Sequence, residues 1–345
     1  MDSSNDEMQL QKAKSVVPLN TWILISNLKL AYNITRRPDG TFNRHLAEFL
    51  DRKVGANISP VDGVSTMDVN IDRIAGVWVR IFVPVSSQSD ETREEKIPVF
   101  LYFHGGSFVH SSANSAIYDA VCRSFAKLCS AVVVSVNFRR SPEHRYPVAY
   151  EDGFTVLKWI QLQALTGLGN AWLPSNADLS HCYLIGDSSG ANIVHHVGVT
   201  AATADLSPVC IRGHILMMPM FGGMKRTPAE IRLDGQYFVT LKDRDYYWQS
   251  FLPDGADRDH PACNIFGPYS EDLSNVPLPP SLVMIADLDL LQDWQMEYVQ
   301  GMRDSGKKIE LVVLEHATVG FFIFPNTEHF HRVIDAISSF IRTPI

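Results

Sequence analysis

Short apolar runs alternate with stretches of helical periodicity over most of the chain. Six runs have the length and character of buried strands, at 98–103, 131–137, 181–185, 213–218, 281–286 and 309–314. Helical patterns follow or separate them near 116–128, 149–162, 190–201, 294–304 and 327–341. This alternation predicts a mostly parallel sheet covered by helices on both faces. Segments 64–71 and 76–83 are predicted to add an antiparallel edge.

The first sixty or so residues are additional to this pattern and contain a helix with two apolar faces. At 100° per residue, one face carries Ile25, Leu28 and Tyr32. The nearly opposite face carries Leu19, Ile23 and Leu30, with Trp22 between the two. Since one face is enough to dock a helix on its own core, two faces favour a lid whose outer side meets a partner. A helix buried in a larger core is the alternative. We predict a lid over residues 1–62 and a core with a ligand pocket over residues 63–345.

Composition and charge limit the classes of function. The chain has 345 residues and is 46% hydrophobic, so it can bury a large core as one domain plus a lid. Its formal net charge of −8 argues against nucleic acid or an anionic membrane as the main partner. The polar, acidic start has no signal-peptide pattern, and no apolar run approaches the roughly 18 residues of a membrane span. We therefore expect the protein to be located in the nucleus and cytoplasm.

The cysteines do not indicate disulfides or a metal site. There are five, an odd number, scattered along the chain without Cys-x-x-Cys spacing. Such cysteines are typical of reduced core residues. We expect no metal and no cofactor.

Two motifs in the expected order indicate the site of a serine hydrolase. Ser188 lies in Gly186-Asp187-Ser188-Ser189-Gly190, between an apolar strand and a helical pattern. This context is that of the strained elbow that exposes a nucleophilic hydroxyl. Upstream, the strand 99–103 runs into His104-Gly105-Gly106-Ser107, which resembles an oxyanion motif. Its glycines let backbone N–H groups approach a developing oxyanion.

The acid of a catalytic triad is present, but the base is not. Asp289 follows the strand 281–286 in a segment that looks like the acid-bearing segment of hormone-sensitive-lipase-like carboxylesterases. In those enzymes the base follows as His-Gly-Phe, where this chain has Val319-Gly320-Phe321. His316 is three residues earlier, about 10 Å along an extended segment and on its opposite face. Without a base, Ser188 is a weak nucleophile, and a pocket of donors suited to an anion remains.

Nearly the whole chain resembles the soluble gibberellin receptors of plants, an offshoot of those carboxylesterases. The most specific matching stretches are 36–44, 105–115 and 234–240. The resemblance implies an α/β-hydrolase fold, with a mostly parallel central sheet flanked by helices and an N-terminal helical lid.

The resemblance also implies a non-catalytic hormone receptor. A gibberellin, a small diterpenoid acid, would occupy the former substrate pocket. The lid would close over it and recruit DELLA repressor proteins for degradation, with the receptor as a monomer. The residues assigned to the partner are Leu19, Trp22, Ile23 and Leu30. The alternative is a carboxylesterase that acts on small esters through Ser188, assisted by water or an unexpected base.

The resemblance implies contacts for each part of the hormone. Its carboxylate would accept hydrogen bonds in the former oxyanion site, formed by Gly105, Gly106, Ser107, Tyr118 and Ser188. Its apolar rings would meet Ile25, Leu28, Phe238, Val239 and Phe322, beside Gly320, and a hydroxyl would meet Tyr32. Further pocket residues are Asp243, Arg244 and Tyr247, with Arg36 directed toward them. Without the resemblance, the segment 243–248 is more typical of a salt-bridged, solvent-facing helix start.

Overall fold

The computed structural model describes residues 19–37, 39–85, 96–167, 173–323 and 327–343. Residues 1–18, which include the start used to predict localisation, lie outside this part, as does the side chain of Leu19. Among the described residues, no helix combines the length and the apolar character needed to cross a membrane.

One eight-stranded sheet forms the centre of the molecule. Its strands are β1 (Val64–Asp72), β2 (Val77–Pro84), β3 (Ile97–Phe103), β4 (Val132–Asn137), β5 (Ala177–Asp187), β6 (Ile211–Met217), β7 (Ser281–Ala286) and β8 (Ile309–Leu314). Their spatial order is β1-β2-β4-β3-β5-β6-β7-β8. Strand β2 pairs antiparallel with both β1 and β4, and the remaining pairs are parallel. The predicted parallel sheet with an antiparallel edge is confirmed.

Nine α-helices accompany the sheet in the described part of the chain. They are α1 (Leu19–Ile34), α2 (Arg44–Leu50), α3 (Ala116–Leu128), α4 (Val148–Thr166), α5 (Ser189–Ala202), α6 (Pro228–Leu233), α7 (Leu241–Phe251), α8 (Gln292–Asp304) and α9 (Glu328–Arg342). A short 3-10 helix covers Phe321–Ile323. The five helices predicted in the core are confirmed, with boundaries that move by at most four residues.

The core consists of two layers because alternate residues of each strand point to opposite faces of the sheet. On one face, Leu101 of β3 belongs to a cluster with Leu157 of α4 and Val197 of α5. On the other, Phe100 clusters with Phe125 of α3. Because strands β3 to β8 run parallel, their carboxyl ends lie at one edge of the sheet, where ligand sites of such sheets occur.

Candidate functional site

Ser188 occupies a strained turn between β5 and α5. Its φ of 51° lies in a region that non-glycine residues rarely adopt. The turn passes so close to the end of β3 that a Cβ at Gly190 would lie only 2.0 Å from the carbonyl oxygen of Phe103. Only glycine fits at this position. The half-buried Ser188 lines a cavity at the carboxyl edge of the sheet. The predicted elbow is confirmed.

The loop after β3 forms another part of the cavity wall, next to the elbow. Gly106 has a φ of 104°, and a Cβ there would lie 2.5 Å from the carbonyl oxygen of His110. Ser107 follows with a φ of 56°; it is buried and also lines the cavity. Gly105 differs from the prediction, since its N–H donates to Asp187 at 3.0 Å and it is not a lining residue. The loop therefore presents Gly106 and Ser107 to a ligand, with Gly105 behind them.

Asp187 is a residue of this site that the sequence reasoning did not single out. Its carboxylate accepts hydrogen bonds from the hydroxyls of Tyr102 at 2.6 Å and Tyr118 at 3.2 Å, besides the Gly105 N–H. Asp187 also lines the cavity. Burial raises the pKa of its carboxyl to about 7. Tyr118, predicted to donate to a ligand, donates here to Asp187.

The pKa of Asp187 predicts a pH-dependent stability. Because the folded-state pKa lies above the unfolded value, the protein loses stability as pH rises from about 4 to about 7. Asp187→Asn cannot ionise. The free energy of unfolding of the variant, relative to wild type, should therefore increase by about 2 kcal/mol between about pH 5 and about pH 8. Urea denaturation at several pH values measures this difference, in which the titrations of other groups cancel. A difference that stays constant with pH would contradict the assignment.

Val319, the residue at the predicted position of the base, lines the cavity with Ser188. Asp289 is buried, and burial raises its pKa. Its carboxylate accepts hydrogen bonds from the Leu291 N–H at 3.1 Å and the Gln295 side chain at 2.8 Å. His316 is exposed, and no histidine is among the described residues that line the cavity.

The cavity has a volume of about 140 Å³ and collects nearly all of the predicted ligand residues. These are Ile25, Leu28, Tyr32, Arg36, Gly106, Ser107, Tyr118, Ser188, Phe238, Val239, Asp243, Arg244, Tyr247, Gly320 and Phe322. Besides Asp187, the prediction missed Lys29, Asn33, Met218 and Ile323. Helical spacing could have found the first two, since Ile25, Lys29 and Asn33 are four residues apart. Met218 directly follows β6, at the edge where ligands bind.

Arg36 connects the N-terminal segment to α7. It forms an ion pair with Asp243 at 2.7 Å and donates a hydrogen bond to the Tyr247 hydroxyl at 3.1 Å. Its guanidinium also lies 4.7 Å from the centre of the Tyr247 ring. Asp243 and Arg244 are only 9% and 8% exposed, so the solvent-facing alternative for this segment is wrong.

His110 is a second contact between the core and the N-terminal segment, and no sequence signal indicated it. Its ring is buried and stacks on Tyr32, with centroids 3.7 Å apart and planes 4° apart. Its Nε2 lies 2.9 Å from the hydroxyl of Tyr247. The hydroxyl of Tyr32, predicted to meet a ligand, lies 3.4 Å from Ser111 Oγ. Tyr32 and Arg36 thus hold the N-terminal segment against the same part of the core.

Arg244 places a positive charge beside the loop that follows β3, residues 104–107, which is called the oxyanion loop below. Its Nη1 lies 3.5 Å from both Ser107 Oγ and Met220 Sδ, and its buried Nε has no hydrogen-bond partner. No carboxylate of the described residues is within 4 Å of it. A buried guanidinium without a paired carboxylate is costly, and an anion in the cavity would compensate it.

Helix α1 has one face toward the cavity and one toward solvent. Ile23 and Leu30 are 51% and 60% exposed, while Ile25 is buried. The alternative of a helix buried in a larger core is therefore wrong. Trp22 differs from its assignment to the partner face, because its ring packs on Phe238 with centroids 4.5 Å apart. Trp22 therefore packs behind Phe238, a lining residue of the cavity, rather than on the partner face.

The elbow, the oxyanion loop and the sheet order define an α/β hydrolase. The sequence model of the alpha/beta hydrolase fold matches residues 100–323. A hyperthermophilic esterase from the archaeon Pyrobaculum calidifontis superposes with a TM-score of 0.69 at 27% identity, over 93% of this chain and 97% of that chain.

Relatives that match nearly the whole chain show which family of α/β hydrolases it belongs to. Gibberellin receptor GID1C of Arabidopsis thaliana is 53% identical over 98% of both chains, and gibberellin receptor GID1 of Oryza sativa subsp. japonica is 49% identical over 98% of both. Carboxylesterase 20 of Arabidopsis thaliana is 34% identical over 84% of this chain and 87% of its own length. The chain belongs to the gibberellin receptor family of α/β hydrolases.

Proposed function

We propose that this protein is a non-catalytic receptor that binds a gibberellin in its former substrate pocket. One observation carries the proposal: Ser188 and the oxyanion loop are kept around the cavity, while Val319 lines it where a base would stand. Rate falls by several orders of magnitude when a triad member is lost. The names of the full-length relatives support the ligand class.

The hormone carboxylate binds between the elbow and the oxyanion loop. The donors there are the Gly106 N–H and the hydroxyls of Ser107 and Ser188, with Arg244 supplying the opposite charge. Tyr118 completes this set by turning its hydroxyl from Asp187 to the ligand. The apolar rings pack on side chains from both the helix and the core, namely Ile25, Leu28, Phe238, Val239 and Phe322.

Because such a ligand touches α1 and the core together, it stabilises the closed position of residues 1–62 over residues 63–345. The closed lid then presents its outer face to a DELLA protein, so the hormone raises the affinity for that partner by linkage. The receptor acts as a monomer in the nucleus and cytoplasm.

Calorimetric titration with a bioactive gibberellin and with its carboxyl methyl ester tests the ligand and its orientation. The acid should bind saturably. The ester should bind about 100-fold more weakly or not at all, because it loses the charge-assisted hydrogen bonds and the attraction to Arg244. Equal binding of acid and ester would place the carboxylate elsewhere, and no binding of either by the folded protein would refute the receptor proposal.

Leu30→Ser separates partner binding from hormone binding. Leu30 is 60% exposed and is not a lining residue of the cavity, so gibberellin affinity should not change. The hormone-dependent affinity for a DELLA protein should fall by about 5- to 30-fold, as for truncation of an interface residue. Surface plasmon resonance measures it. Leu162→Ser is the matched control, since Leu162 is 54% exposed on α4. Equal loss in both variants would contradict the proposed partner face.

A carboxylesterase is the second candidate function, favoured by the strained elbow at Ser188 and by the 34% identical carboxylesterase. It predicts turnover of small esters by the wild-type protein that Ser188→Ala abolishes. Turnover that survives this substitution would exclude it.

A further inference from the structure

A second cavity of about 330 Å³ lies between α4, α5 and the segment 261–273. It shares no lining residue with the cavity at Ser188. Its volume exceeds the roughly 140 Å³ of the cavity at Ser188. It is therefore large enough for a ligand of its own.

Aromatic rings form much of its wall. Tyr150 and His196 are stacked, with centroids 4.4 Å apart and planes 14° apart. Tyr146 meets Tyr150 edge to face at 5.6 Å. Phe154 also lines the cavity. Electron-rich ring faces of this kind attract cations.

The charged side chains that line this cavity are both negative. Glu151 and Glu271 are exposed and lie near enough to Tyr146 to contribute, after burial, to its raised pKa. Among the described residues that line this cavity there is no lysine or arginine. Burial lowers the pKa of His196 to about 3, so its imidazole is neutral. The charged side chains among these lining residues are therefore two carboxylates.

We propose that this cavity binds a small organic cation whose charge is surrounded by apolar groups, such as a quaternary ammonium. The aromatic wall formed by Tyr146, Tyr150 and Phe154 contacts the cation, and Glu151 and Glu271 provide the countercharge at the entrance. A metal ion or a compact, strongly hydrated cation would lose its hydration without gaining enough oxygen ligands from such a wall.

The hydrogen bonds of Tyr150 decide which lining residues of the second cavity can be substituted in a test. Tyr150 donates to Asn192 at 2.5 Å, and Asn192 donates to the carbonyls of Met220 and Ala262. Substitutions at Tyr150 would therefore disturb α5 near Ser188. The exposed Glu151 and Glu271 can be changed without this effect.

Choline and its uncharged isostere 3,3-dimethyl-1-butanol are the probes for calorimetric titration of the full chain without gibberellin. Choline should bind saturably, and the isostere at least about tenfold more weakly, since one charge interaction is worth about 1–2 kcal/mol. The double variant Glu151→Gln, Glu271→Gln should lower choline affinity by a similar factor. Glu310→Gln, a change of an exposed carboxylate on β8, should leave it unchanged.

Equal affinities for choline and the isostere would reduce the site to an apolar cavity and overturn the proposal. Absence of saturable choline binding by the folded wild-type protein would overturn it as well, as would full affinity in the double variant. None of these outcomes bears on the receptor proposal, because the substituted residues do not line the cavity at Ser188 and the titrations contain no gibberellin.

Discussion

Val319→His is expected to raise the Ser188-dependent hydrolysis of p-nitrophenyl acetate by about 100-fold or more, the usual contribution of a positioned general base. The other parts of a hydrolase site are present, since the elbow is strained at Ser188 and Gly106 and Ser107 line the same cavity. Asp289, the predicted acid, is buried, and the adjacent Leu288 N–H donates to the Ala317 carbonyl at 3.0 Å, two residues before Val319. Gln295 donates a hydrogen bond to one of the Asp289 oxygens. Release of p-nitrophenolate measures the rate.

Two further variants make this test specific. Val319→Leu changes the size of the side chain without adding a base, so it should remain at the wild-type rate. Adding Ser188→Ala to Val319→His should remove the gained activity. If folded Val319→His hydrolyses the ester no faster than wild type, the absent histidine is not what separates this chain from the esterases.

Arg36→Met is expected to lower gibberellin affinity by about 10- to 100-fold. The substitution removes the 2.7 Å ion pair with Asp243 and the hydrogen bond to Tyr247, both of which fix the N-terminal segment over the cavity. Removing one partner of a buried ion pair can cost 3–5 kcal/mol, and partial exposure reduces the cost here. Calorimetry measures the affinity, and limited proteolysis with and without hormone measures closure of the lid.

Arg37→Met is the matched control for this prediction. Arg37 is exposed, and its guanidinium donates only locally, to the Thr41 hydroxyl and the Phe42 carbonyl. Its substitution should leave gibberellin affinity within about twofold of wild type, as for most surface changes. The capping box of α7 at Asp243 survives in both variants. Equal affinities of the two variants would show that the ion pair does not hold the lid.

Much of the candidate site could be predicted because its parts are local in the chain. A strand, a glycine-bounded serine and a helix follow one another around Ser188, so the elbow is visible as a motif. The alternative for Asp243 and Arg244 failed for a different reason. Charged residues at a helix start are usually solvated, but here Arg36 pairs with Asp243, while Ser107 and Met220 lie against Arg244.

The sequence by itself determined the order of strands and helices along the chain and the presence of the elbow, because each depends on neighbouring residues or on their periodicity. Tertiary structure alone decided that Tyr102, Gly105 and Tyr118 all donate to Asp187, and that His110 lies between Tyr32 and Tyr247. These contacts join residues far apart in the chain. Periodicity reports which face of a helix or strand is buried, but the partner of that face depends on how the elements pack.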